Sequence, residues 1–397
     1  MSRIALPQNY IKSDGTLVEG FETLTGWSGI AGSAALDTVN YKTGSASLKL
    51  TSLEGGNAIY TETVSLDLSK KSRRMDFEFF VYDVTAFNYL SVILSSSASL
   101  TTSFTAQVSN AGGQIRNGWN KFSVGRANWS ATGAESWNNT MVRLRVMLNA
   151  KSGKIAAASI DSLFGDSEGI GRLLLTFDDG YSSVYDQAFS YMNPRGIVGT
   201  SYVAGYQIDN GIGFMTKPQL TELYNAGWAI GNHTYNHVDM SGYTRAQAYA
   251  QLNPNKTWLI NGGFVRSADH ACYPVGGYND DVLLAMADIG AKTGRTTKAG
   301  NNYEFTHPYE LTIREVSNIS ALATVKGYVD EALSREATVI LMFHKIVETP
   351  TVSTEWSIAN FQALCDYIAE RKIPTVAIDE WYRGLKNPRK LSSRLAA

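Results

Sequence analysis

The sequence predicts two domains: an all-β sandwich over residues 1–167 and an α/β barrel over residues 168–384, with a polar basic tail at 385–397. Three observations predict this. At 397 residues the chain is too long for one typical domain. Its first part alternates apolar and polar residues with period two between Gly, Asn and Ser turns, the pattern of an antiparallel sandwich. Its second part alternates apolar strand-length runs with helical segments, the pattern of a parallel sheet. Six or seven such strand–helix units favour a barrel over an open sheet.

In the first domain the alternating runs are 46–51, 76–82, 89–94, 121–124 and 141–147, closed by 157–164, and no long helix is expected. Gly165, Asp166, Ser167 and Gly169 then form a polar hinge. Gly20-Phe21-Glu22 with Trp27, Gly44 to Leu48, Gly118-Trp119-Asn120 and Ile160 to Leu163 resemble jelly-roll carbohydrate-binding modules. The resemblance implies a sugar-binding or targeting role. Trp129 and Trp137 lie in a loop-like stretch, where an exposed indole could stack on a sugar ring. The alternative, favoured by the usual burial of Trp, is packing on the sandwich.

The second domain opens with an apolar strand, 172–177, and a helix from about 184 to 192 closed by Asn193-Pro194-Arg195-Gly196. A strand follows at 197–203. Thr216 is placed to cap a helix with Pro218 in its first turn, ending at Asn225-Ala226-Gly227 before a strand at 228–230. Residues 244–260 read as helical despite Pro254, 269–273 as a short strand, 280–288 as a helix and 290–293 as a strand. The pattern finishes with a helix at 321–333, an apolar strand at 337–343, a helix at 358–370 and a final strand at 373–376.

Composition narrows the function. The chain is 44% apolar and 18% charged, as in soluble globular proteins. A net charge of -1 without a long basic run argues against nucleic acid as the partner. No stretch is long enough to span a bilayer, which argues against membrane insertion, and the first ten residues lack the apolar core of a secretory signal. The expectation is a cytoplasmic chain, a mature form, or one released by another route, as a phage virion protein is by lysis. Cys272 and Cys365 are too few and too far apart for a disulfide framework or a zinc cluster and are expected reduced.

The chemistry-bearing residues gather at strand ends. Asp178 and Asp179 end the first barrel strand, where two adjacent carboxylates are costly unless a cation or a catalytic task uses them. Among five histidines, His233 and His237 form a pair four apart directly after another strand, and His344 ends a third. Two His and one Asp suit zinc or a similar divalent ion, with an open position for water. The other Asp could then take a proton from water and His344 could protonate a leaving group, which amounts to metal-assisted hydrolysis of an acyl bond. No Gly-x-Ser-x-Gly elbow stands near these residues. His270 reads as structural and His307 as a loop residue, while Tyr181, Tyr235 and Tyr273 could line a groove or simply pack.

Thr176 to Gly180, His233 to His237, Tyr273 to Gly276 and Leu341 to His344, in that order, resemble the polysaccharide deacetylase family, also called NodB-homology or carbohydrate esterase family 4. The resemblance covers about residues 170–384. It implies a deformed (β/α) barrel that removes acetyl groups from glycans with a divalent metal: most readily zinc, with cobalt or nickel compatible. By position it makes Asp178 the general base, Asp179, His233 and His237 the metal ligands and His344 the general acid. It also makes Tyr273, Pro274 and Val275 an oxyanion and substrate motif, with the Val275 N–H on the oxyanion.

Two departures matter. Many members carry an arginine where Cys272 stands, paired with the base, and Arg295 is the candidate replacement. The tryptophan motif of chitin-type members is not evident between Gly290 and Tyr309. The leading expectation is therefore a deacetylase acting on an acetylated polysaccharide. The competing ones are an amidase acting on a small non-sugar amide and a non-catalytic glycan-binding or virion attachment protein.

Overall fold

The computed structural model describes residues 16–68, 74–110, 115–165, 171–302, 308–335 and 337–386. The first ten residues, the hinge after Gly165, His307 and the tail beyond Lys386 lie outside the described residues. The chain divides into two compact units, 1–169 and 170–397.

The first unit holds two antiparallel sheets. One runs β3 (Ser33–Asp37), β4 (Ser47–Thr51), β12 (Ala157–Gly165), β6 (Arg74–Val81), β9 (Gly118–Gly125), with β1 (Thr16–Glu19) also on β12. The other runs β10 (Ser130–Thr132), β8 (Ser103–Ser109), β7 (Phe87–Ser95), β11 (Thr140–Ala150), β5 (Asn57–Asp67), β2 (Trp27–Ala31). The alternation is visible on β11, where Leu144, Val146 and Leu148 are buried while Arg143, Arg145 and Met147 stay partly exposed. With Leu48, Leu50, Phe77, Phe79, Leu90 and Val92 they build one core. Trp129 belongs to it. The ring is 6% exposed, packs on Phe77 and meets Trp137 edge-on, and Trp137 itself stacks on Phe104 at 4.0 Å. Trp129 therefore packs on the sandwich, the favoured of the two readings, and offers no stacking face: Phe77 and Trp137 cover the indole.

The second unit is a closed parallel barrel of seven strands: β13 (Arg172–Phe177), β14 (Gly199–Val203), β15 (Ala229–Asn232), β16 (His270–Cys272), β17 (Thr293–Ala299), β18 (Leu311–Glu315) and β19 (Thr338–Phe343). Every residue of β13 and β19 is buried, as expected of strands covered on both faces. The crossover after β13 is a π-helical turn (Val184–Phe189) running into α1 (Ser190–Met192). Thr216 and Thr244 close capping boxes on α2 (Lys217–Asn225) and α3 (Arg245–Asn261). The other helices are α4 (Asp280–Asp288), α5 (Leu322–Arg335), α6 (Ile358–Arg371) and α7 (Ile378–Lys386). Beyond β19, β20 (Lys345–Val347) pairs with β21 (Glu355–Ser357). Among the described residues, no helix is long and apolar enough to cross a membrane.

Two expected strands differ. The one placed at 290–293 begins only at Thr293, because Gly290 is left-handed and turns the chain first. The one placed at 373–376 is a single bridge to Leu173, since Pro374 has no N–H to extend a ladder.

Candidate active site

Parallel pairing delivers the motifs to one rim of the barrel. β13 and β19 pair in register up to Phe177 and Phe343, and the Asp178 N–H donates to Phe343 O at 3.0 Å. Asp178 and His344 are therefore the next residues on neighbouring strands, with His344 half-buried. His233 follows β15, Cys272 ends β16 and Arg295 lies on β17. These are mostly strand C-terminal ends, the usual location of chemistry in such barrels.

The motif backbones are strained. Four non-glycine residues with positive φ lie in them: Asp179 (71°), Thr234 (60°), His237 (51°) and Val275 (57°). Each such residue costs about 1–3 kcal/mol, and the β-branched Thr234 and Val275 are the least suited to it. The strain has a geometric result. It lets residues that are adjacent or four apart outside a helix aim at one point.

That point is Asp179 Oδ1. His237 Nε2 lies 2.9 Å from it and His233 Nε2 3.3 Å, yet among the described residues this buried oxygen has no hydrogen-bond partner. His233 Nδ1 sits 3.2 Å from Cys272 O, which favours the proton on Nδ1 and leaves the Nε2 lone pair facing Asp179. A carboxylate oxygen and two imidazole nitrogens that converge on one point fit a divalent cation. Burial alone would raise the Asp179 carboxyl, but the two imidazoles hold it well below the usual range. The same carboxylate raises His237 above its ordinary value, against burial.

Asp178 faces a different partner. Arg295 Nη2 lies 2.5 Å from Asp178 Oδ2, with Arg295 1% exposed. Burial would lower the guanidinium, but the Asp178 charge more than offsets it and the net shift is upward, so Arg295 stays charged. Arg295 also contacts Met342 Sδ and lies over the Tyr202 ring, two neighbours that sequence reading missed. Cys272 Sγ is 2.8 Å from His233 Nδ1 and 3.9 Å from Asp178 Oδ1. Burial first, then the Asp178 charge, pushes its thiol well up, so it is neutral.

The Tyr273-Pro274-Val275 motif divides. Tyr273 is buried, stacks on Tyr278 and donates its hydroxyl to Tyr309 O, so it is no substrate-facing ring. Pro274 is also buried, whereas Val275 is 74% exposed. Tyr181, half-buried, stacks on Phe214, and its phenol is pushed up to about 12 by burial and by Asp179. His270 is buried against Thr293 Oγ1 at 2.9 Å, away from the motif residues. Asn232 and Asn255, both fully buried and bonded to each other at 2.9 Å, were also missed. Asn232 was detectable beside His233, while Asn255 carries no local signal.

Residues 166–294 match the family model for polysaccharide deacetylase. YxkH of Bacillus subtilis, which bears the name of a polysaccharide deacetylase, is 31% identical over 128 residues, 32% of this chain and 45% of that protein. The poly-beta-1,6-N-acetyl-D-glucosamine N-deacetylase of Staphylococcus epidermidis is 29% identical over 138 residues, 31% of this chain and 46% of that protein. The chain thus spans less than half the length of either relative. A family 4 carbohydrate esterase from Streptomyces lividans, solved with acetate, is 18% identical, with 52% of this chain and 91% of that chain covered and a TM-score of 0.36.

Proposed function

Because residues 166–294 match the family model for polysaccharide deacetylase, we propose that this protein belongs to that family and hydrolyses acetyl groups from an acetylated polysaccharide. The observation that carries the reading is the convergence of His233 and His237 on the orphaned Asp179 oxygen, beside an Asp178 engaged by Arg295. Asp179, His233 and His237 would hold a divalent cation, most readily zinc. When bound, such a cation polarises a carbonyl and makes water acidic near neutral pH. Asp178 accepts the proton of the attacking water. Arg295 engages Oδ2, which leaves Oδ1 for this transfer. His344, one position beyond the strand paired to β13, donates a proton to the departing amine or hydroxyl. The Val275 N–H, in the exposed left-handed turn, stabilises the developing oxyanion. Water adds to the acyl carbon, the C–N or C–O bond breaks, and acetate leaves. The jelly-roll-like first unit would hold the polymer.

Acetate release tests the reading. Poly-beta-1,6-N-acetyl-D-glucosamine, named in a relative's activity, is the first substrate, followed by O-acetylated xylan and N-acetylated chitooligosaccharides. Release should stop with a chelator and return with zinc. Zinc bound at full occupancy with no acetate released from any of these polymers would leave a glycan-binding protein without catalysis.

A further inference from the structure

We infer that Asn255 is a positioning residue for the metal-binding turn; the inference rests on the proposed reading of Asp179, His233 and His237 as ligands. The turn His233-Thr234-Tyr235-Asn236-His237 is neither helix nor strand, and its two imidazoles converge only because Thr234 and His237 are left-handed. Something outside the turn must hold that conformation. The bonds trace to α3. The Thr234 N–H donates to Asn232 Oδ1 at 2.9 Å, and the same oxygen accepts from Asn255 Nδ2 at 2.9 Å. Asn255 Nδ2 also donates to Val203 O at 2.9 Å, the carbonyl that accepts the His233 N–H at 3.1 Å. Asn255 Oδ1 accepts from the Gly205 N–H at 2.9 Å. One buried amide therefore bonds the end of β14, the loop after it and the residue before His233, all without touching a ligand ring.

The helix is shaped for this. Pro254, immediately before Asn255, has no N–H, so the helix lacks one internal hydrogen bond there. The carbonyls of the preceding turn are used by the motif: Gln251 O accepts from Tyr235 N–H at 3.0 Å, and Leu252 O accepts from Asn232 Nδ2 at 2.9 Å. Gly205 completes the fit, since a Cβ there would come 2.7 Å from Asn255 Oδ1.

The test measures zinc affinity of the full chain by competition with a chromophoric chelator, together with the melting temperature of the metal-free protein. Asn255→Leu removes all the amide bonds and should weaken zinc binding by about 10–100-fold. Asn255→Ser keeps one donor and leaves room for water to bond the freed groups, and should weaken binding less; it decides the matter if Asn255→Leu does not fold. Leu259→Ala, a buried core change on the same helix, should lower the melting temperature while zinc affinity stays unchanged. Wild-type zinc affinity in both Asn255 variants overturns the inference. So does an equal loss of affinity in Leu259→Ala at matched loss of stability. His233→Ala separates the two readings: if it binds zinc like the wild type, the ligand assignment falls and takes this inference with it.

Discussion

Replacing Arg295 by Met takes the cation out of a pair buried inside the barrel while nearly conserving volume and flexibility. With charge centres about 4 Å apart and an effective dielectric near 20, the attraction is about 4 kcal/mol. At 1.36 kcal/mol per tenfold change, losing that attraction corresponds to a factor of up to about 10³. Water entering the vacated space recovers part of that, so kcat/KM for acetate release at pH 7 should fall by about 10²–10³. Cys272 cannot substitute: its thiol is neutral and 3.9 Å from Asp178 Oδ1. Arg295→Lys keeps the charge but not the planar fork and should fall between. The assay is acetate release across pH, with zinc content and melting temperature recorded for each variant. If Arg295→Met kept wild-type turnover at full zinc occupancy, the pair would be purely structural and the reasoning refuted.

Two further outcomes are expected. Burial pushes His270 down to about 3 from 6.5, so between these values the unfolded chain holds a proton that the folded one does not. Its contribution is full above pH 6.5 and is lost as the pH falls, at about 1.4 kcal/mol per pH unit. Urea unfolding of His270→Gln should show a slope against pH shallower by about that amount within this window, and equal slopes would contradict the assignment. Trp129→Ala should cost about 3–5 kcal/mol in the stability of the first unit, measured by thermal unfolding. Unchanged stability with lost glycan binding would instead restore the stacking role.

Legibility followed locality. β13 and β19 are readable because strands covered on both faces are written as continuous apolar runs. β17 is not, because its polar side chains Thr293, Arg295 and Thr296 are buried by barrel closure rather than by their own character. For Trp129 both packing and stacking stayed open because its neighbours in sequence are polar, while Phe77, which helps bury it, comes from the distant strand β6. The spacing of His233 and His237 is plain in the sequence, but their convergence depends on backbone angles that no residue type there prefers.

By itself the sequence determined which donors exist and that they end barrel strands, because an apolar run followed by Asp-Asp or a spaced His pair is a local pattern. The tertiary structure alone decided who supports them. Arg295, 117 residues from Asp178, meets it because a closed ring of seven strands brings opposite walls within one side chain's reach. Asn255 meets Asn232 because α3 turns its buried face, Asn255 included, to the end of β15. Both depend on closure of the whole barrel, and long-range closure leaves no trace in the residues on either side.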